Sequence, residues 1–100
     1  MRIKKLPVPI LFQWDDGNNE KNWKKHKVSQ KECIEVFHND PIALNDRTHS
    51  QDEERFIAIG KVKMRYIFII YTIRNKLIRV ISARDQNKKE RIFYNQKREL

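Results

Sequence analysis

Glycine and proline are nearly absent, with two and three in 100 residues. They punctuate irregular loops, so their scarcity leaves little room for long structureless connections. Cysteine occurs once, at position 33, which excludes an internal disulfide. Cys33 falls in a segment that reads as helical and is expected to be a free, buried thiol. One cysteine and three scattered histidines do not make metal-ligand spacing, and neither a metal nor another cofactor is expected. No apolar run approaches the ~20 residues that span a bilayer. The basic stretch Met1 to Leu11 lacks the apolar centre and small-residue cleavage site of a secretory leader. No repeat, low-complexity tract or linker divides the chain. The expectation is a cytoplasmic protein with a basic extension at 1–11 and a single domain at 12–100.

What is abundant is positive charge. The chain carries 22 Lys and Arg against 13 Asp and Glu, a net charge of +9. Met1 to Gly60 holds ten basic and ten acidic residues, so the excess lies wholly in Lys61 to Leu100, with twelve basic residues against Asp85, Glu90 and Glu99. A field this lopsided attracts a polyanion: RNA, DNA or an acidic protein. The other reading is a solvated basic surface with no partner.

Ile10 to Trp14 is predicted as a short strand. Asp15 or Asp16 then caps a helix running to about His26, with Gly17 weakening its first turn and Asn19, Trp23 and His26 marking one face. Ser29-Gln30-Lys31-Glu32 is a capping box opening a second helix, with Cys33, Ile34 and Phe37 as its apolar stripe and Asp40-Pro41 as its end. Beyond it the period shortens to two. Ile42 to Asp46 and Glu54 to Gly60 read as strands, the latter with Arg55, Ile57 and Ile59 on one face and Phe56 and Ala58 on the other. Tyr66 to Tyr71 is apolar on both faces and should be central. Leu77 to Ala83 follows a short turn at Arg74-Asn75-Lys76, and such short connections require antiparallel neighbours. A last helix starts near Asn87, where Asn87 and Glu90 have capping-box spacing. The fold class is α+β: an antiparallel sheet with two N-terminal helices and a C-terminal helix.

Arg79 lies mid-strand, on the face of Leu77, Ile81 and Ala83 by simple alternation. A charge there is costly unless paired or facing a wet site. Either it bridges to a carboxylate such as Glu90, or the sheet presents it to a phosphate, whose oxygens fit the guanidinium fork. Glu53, Glu54 and Arg55 begin the first meander strand and can sit near Arg79 across the sheet, although acid–base pairs at strand ends are usually solvated ion pairs. Lys24-Lys25-His26-Lys27 closes the first helix, where the helix dipole alone favours cations. Tyr94, one turn after Glu90, is either a packing aromatic or a base-stacking platform. Lys, Arg, Glu, His and Tyr suffice to cleave RNA without a metal: a base activates the 2′-hydroxyl, cations hold the phosphate and an acid protonates the 5′-oxygen.

Phe12-Gln13-Trp14-Asp15, Asn22, Lys25-His26, Val28-Ser29, Phe37, His49-Ser50, Glu53-Glu54-Arg55-Phe56, Gly60, Arg79-Val80-Ile81-Ser82-Ala83-Arg84, Glu90-Arg91 and Tyr94 follow in this order. The set resembles the BrnT family of type II toxins, which has a RelE-like fold. The resemblance covers about residues 12 to 94. It implies a metal-independent endoribonuclease that cuts messenger RNA, and a BrnA-like antitoxin with a ribbon-helix-helix part. Operator DNA would then be contacted only through the antitoxin, with which the toxin represses its operon. At matching positions it implies Arg79 and Arg84 on the scissile phosphate with Arg55 assisting, Lys25 or His26 in proton transfer or phosphate binding, and Glu53 or Glu54 orienting an arginine or acting as base. Tyr94, Arg91 and Lys88 are the expected RNA contacts beyond the scissile linkage. Three positions depart from the family pattern: Gln13 stands for Glu, Lys27 for Gly and Gln30 for Phe. The alternative is a basic RNA- or protein-binding module of the same fold without catalysis, and a third is a DNA-binding regulator.

Overall fold

The computed structural model describes residues 6–18, 21–46 and 53–98, with the backbone alone at 21–23. The expected roles of Asn19, of the Asn22 and Trp23 side chains and of His49-Ser50 lie outside the described residues. In order come α1 (Lys21–His26), α2 (Gln30–His38), β1 (Ile42–Asn45), β2 (Phe56–Val62), β3 (Arg65–Arg74), β4 (Leu77–Asp85) and α3 (Lys88–Arg98). The strands form one antiparallel sheet in the order β1-β2-β3-β4, so the fold is α+β as expected and β3 is interior.

Both capping boxes form. The Glu32 amide donates to Ser29 Oγ at 3.1 Å and the Ser29 amide to Glu32 Oε1 at 2.9 Å. At α3 the Glu90 amide donates to Asn87 Oδ1 at 2.8 Å and the Asn87 amide to Glu90 Oε1 at 2.9 Å. Each pair satisfies two amides that a helix start leaves without partners. The hairpin joining β3 and β4 turns on Asn75 and Lys76, both with positive φ (52° and 66°). That conformation matches the strand twist and gives the tight two-residue connection.

Two cores sit on opposite faces of the sheet. The larger gathers Val28, Cys33, Val36 and Phe37 against Ala58, Ile67, Ile69, Tyr71, Ile78, Val80 and Ala83. Phe37 stands edge-on to both Phe12 and Tyr71, at 5.5 and 5.0 Å between centroids. Val36 is fully buried and Ile34 only partly, so the stripe of α2 is Cys33, Val36 and Phe37. Helix and sheet approach closely at Gly60, where a Cβ would come within 2.7 Å of Val36 Cγ1. Burial pushes the Cys33 thiol up to about 12, which leaves it protonated and inert. The smaller core holds Ile42, Leu44, Ile59 and Tyr94, with Ile57, Tyr66, Phe68 and Phe93 packed on it. Toward the β3–β4 turn the described helices do not extend this second core, and polar side chains take its place: Thr72, on this face, is 2% exposed. Along β3, Ile67, Ile69 and Tyr71 are buried while Phe68 and Ile70 are half-buried.

Three further expectations are corrected. Ile10 to Trp14 is not a strand: only Phe12 makes a bridge, parallel to Ile78, with the Ile78 amide bonded to the Leu11 carbonyl and the Gln13 amide to the Ile78 carbonyl, both at 2.8 Å. The chain leaves the sheet edge there because Asp16-Gly17-Asn18 forms a turn, held by Asn18. For the same reason α1 begins at Lys21 and not at Asp15 or Asp16. Third, Ala83 does not share a face with Arg79. Ile70 pairs with Ser82 but Tyr71 with Val80, so Ile81 is an extra residue and the alternation slips by one. Ala83 therefore joins Ile78 and Val80 in the larger core, and Arg79 and Arg84 both face the other side.

Candidate functional site

The half of the second sheet face nearest the β3–β4 turn carries a row of polar side chains. Thr72 pairs with Arg79 across β3 and β4, and Phe56 with Tyr71 across β2 and β3. One residue before Phe56, Arg55 falls level with Thr72. Phe56 and Tyr71 lie in the larger core, so Arg55, Thr72 and Arg79 share the opposite face. With adjacent strands about 4.8 Å apart, Arg55 and Arg79 stand about 10 Å from each other by backbone. Thr72, 2% exposed, forms the floor, and its hydroxyl donates to the Glu54 carbonyl at 2.8 Å.

Carboxylates border this row. Asp15 meets Arg79 with both oxygens: Nη1 donates to Oδ2 at 2.6 Å and Nη2 to Oδ1 at 2.9 Å. This answers the question of Arg79's partner with Asp15 rather than Glu90. Glu53 takes Arg74 in the same way, at 3.1 Å from Nε and 2.9 Å from Nη2. The Arg79 guanidinium, helped by the Gly17 amide, holds the Asp15 carboxyl below the usual carboxylate range. Arg74, with Arg55 and Arg79 acting through space, does the same to Glu53. Asp46, whose amide donates to the Arg55 carbonyl at 2.9 Å, and Glu54 lie at the same end of the sheet, so the described groups here are three guanidiniums and four carboxylates.

The remaining expected residues fall into two other places. Arg84 is on the same face but level with Phe68, two rungs from the Thr72 row and so about 13 Å along the sheet. It lies over the Phe68 ring at 4.1 Å and binds both Glu90 oxygens at 2.8 and 2.9 Å. Burial works against the Glu90 charge, but Arg84 and the Asn87 amide outweigh it and keep the carboxyl below its ordinary range. Next to it Lys88 and Arg91 are exposed and, with Tyr66, Ile92 and Asn95, line a shallow cleft of about 240 Å³. Tyr94 is only 5% exposed and edge-on to Tyr66 at 6.0 Å, so its ring packs and offers no free face to a base. Lys25 and His26 close α1, whose end is tied to the start of β3: Arg65 donates to the His26 and Lys27 carbonyls at 3.2 and 2.7 Å, and to Glu32 and Asp85. Arg65 and Thr72 are seven residues apart on one strand, so these two groups lie at the opposite end of the sheet.

The sequence model of a family described as ribonuclease toxin, BrnT, of type II toxin-antitoxin systems matches residues 14–90. The chain belongs to this family. No curated protein matches the chain in sequence. As a BrnT toxin it is a ribonuclease whose partner is an antitoxin, and the matched segment contains the whole polar row together with Arg84 and Glu90. No helix among the described residues is long and apolar enough to cross a membrane.

Reading the sequence missed Asp15, Arg74 and Thr72. Arg74, expected in the turn, closes β3 instead. Asp15 has the residue type and position of a helix cap, which hides its role in the turn. The available signal was Asp15-x-Gly17-Asn18, a turn pattern in which Asp bonds the backbone two residues on.

Proposed function

We propose that this BrnT toxin is an endoribonuclease that cuts messenger RNA without a metal, using the Arg55–Thr72–Arg79 row as its phosphate site. The observation that carries the reading is the position of these groups: two guanidiniums on one row of a rigid sheet, on the half of the face nearest the β3–β4 turn. A guanidinium matches two phosphate oxygens at once and keeps its charge at any physiological pH. Held at fixed spacing, such donors stabilise charge growing on a pentacoordinate phosphate without reorganising during the reaction.

Asp15 and Glu53 act as orienters in this scheme. Arginines hold both below the usual carboxylate range, and a depressed pKa makes a weak proton acceptor near neutrality. Glu54, exposed at the same end of the sheet, takes the role of base toward the 2′-hydroxyl. Arg84, Lys88 and Arg91 form a second basic patch that receives the RNA backbone away from the cut, and Lys25 and His26 a third. The toxin works in the cytoplasm, and its partner is a BrnA-like ribbon-helix-helix antitoxin that carries the operator contact and closes an autoregulatory loop.

The test is cleavage of a labelled messenger RNA in a translation extract in which EDTA-treated and magnesium-replete reactions are compared after removal of ribosomes. Cleavage that persists in EDTA and is lost in Arg79→Ala supports the reading. Salt-sensitive RNA binding without cleavage in either condition supports the non-catalytic module instead.

A further inference from the structure

Arg79 is held by a built turn, and the turn has features that serve no other visible purpose. Asn18 is 3% exposed and donates through Nδ2 to the Gln13 carbonyl at 3.0 Å and the Val80 carbonyl at 3.1 Å. Its Oδ1 accepts the Asp15 amide at 2.8 Å. One buried side chain thus fixes residues 13–18 to β4, in register with the strand that bears Arg79. Within this frame the Gly17 amide donates to Asp15 Oδ1 at 2.8 Å, which sets the carboxylate plane. Gly17 does not have a positive φ, so backbone conformation does not call for glycine. Space does: a Cβ at position 17 would lie 2.8 Å from Arg79 Nη2 and 3.2 Å from Asp15 Oδ1. The guanidinium rests against the bare backbone of the turn.

We propose that Asp15 and Gly17 are positioning residues for Arg79. Asp15 fixes the plane and reach of the guanidinium, and Gly17 provides the room it occupies. The proposal rests on the phosphate-binding role assigned to Arg79 above. A guanidinium has five donors in a rigid fork. Two are taken by Asp15, which sets the direction in which the rest of the fork points over the sheet. Without the carboxylate the long side chain samples several rotamers, and the cost falls on the transition state, where orientation counts most. Ground-state RNA binding is spread over many cations and changes little.

Gly17→Ala is the sharper probe. The added methyl group meets the flexible end of a side chain, so the fold tolerates it while Arg79 is forced aside. Asp15→Asn keeps the size and removes the charge. Arg79→Ala is the control. Rates of messenger RNA cleavage in a translation extract, measured against RNA concentration, give kcat and KM for each full-length variant, and thermal unfolding gives the folded fraction. NMR of the arginine side-chain NH groups reports the order of Arg79 independently of activity.

The expected result is a kcat lowered on the order of 10-fold or more in both Asp15→Asn and Gly17→Ala, with KM within ~2-fold of wild type. The two Nη groups bonded to Asp15 are expected to show slowly exchanging protons in wild type and averaged ones in both variants. Wild-type kcat in Asp15→Asn and Gly17→Ala together with an inactive Arg79→Ala overturns the positioning role and leaves the phosphate site standing. Wild-type kcat in Arg79→Ala overturns the phosphate site and this proposal with it. Activity that falls only in proportion to the folded fraction also overturns the positioning role.

Discussion

The two ends of the sheet use the same side chains for opposite purposes. At the end where β2 turns into β3, Arg65 binds two carboxylates and two backbone carbonyls drawn from α2, β4 and the α1–α2 connection. At the other end Arg79 meets one carboxylate, from one turn, with 13% of its side chain exposed against 28% for Arg65. An arginine whose acceptors come from several elements is a tie between them. One whose acceptor is a single carboxylate joins only one segment to its strand, and the phosphate role proposed for Arg79 draws on that difference. Arg84 sits between these cases, bound to Glu90 and stacked on Phe68, with 35% of its side chain exposed. Neither charge nor burial alone separates the arginines; the origin of their acceptors does.

The contrast can be broken most directly by exchanging the losses. Arg79→Ala should lower cleavage on the order of 10²-fold or more while leaving the denaturation midpoint close to wild type. Arg65→Ala should do the reverse. It leaves the half-buried Glu32 without its guanidinium and unties α1, α2 and β4, for a loss of about 1–3 kcal/mol in urea denaturation with cleavage per folded molecule retained. If Arg65→Ala abolished cleavage in the folded fraction, the division of labour would be wrong.

Gly60→Ala probes the tie end from inside the core. Its methyl group meets buried Val36 at 2.7 Å, a contact with no flexible end to move, and should cost about 1–3 kcal/mol. The matching change at the Arg79 end, Gly17→Ala, meets a movable guanidinium and should cost far less stability while damaging activity.

Acid should sharpen the comparison. Burial works to raise the Glu32 carboxyl, but the Ser29 amide and Arg65 outweigh it and hold it below its ordinary value of 4.5. A folded value below the unfolded one means that the stabilisation is complete above the unfolded value and is lost as pH falls through the folded one. Wild type should therefore exceed Glu32→Gln in stability at pH 7 by an amount that shrinks to nothing in strong acid. A gap independent of pH would show that the Glu32 charge contributes nothing.

The smallest effect is expected at Lys27, which takes a φ of 57°, a left-handed conformation easier for glycine. Lys27→Gly should raise stability by up to about 1 kcal/mol in denaturant titration. A loss would mean that the lysine side chain supports the α1–α2 connection.

Much of the fold was legible because local signals carry it. Two capping boxes, the Asn75-Lys76 turn and alternation in β2 each act over a few residues, and tertiary packing only ratified them. The errors arise where local signals conflict with contacts distant in sequence. Asp15-Asp16 resembles a helix start, but Asn18 bonds the Val80 carbonyl 62 residues away and turns the segment into a brace. The Ile81 bulge leaves no mark in the alternation of Leu77 to Ala83, and it decides that Ala83 is core. Of the expected site residues, Glu53, Arg55 and Arg79 meet at one end of the sheet; Arg84 with Lys88 and Arg91, and Lys25 with His26, lie elsewhere.

By itself the sequence determined the class of the fold, the order of its elements from the second helix onward and the cationic character of the C-terminal forty residues. Period, caps and net charge are properties of neighbouring residues and hold before the chain closes on itself. Only the tertiary structure decided which carboxylate faces which arginine. That choice depends on strand register, on one bulge and on where a short turn is pinned, and each of these is set by contacts between residues tens of positions apart.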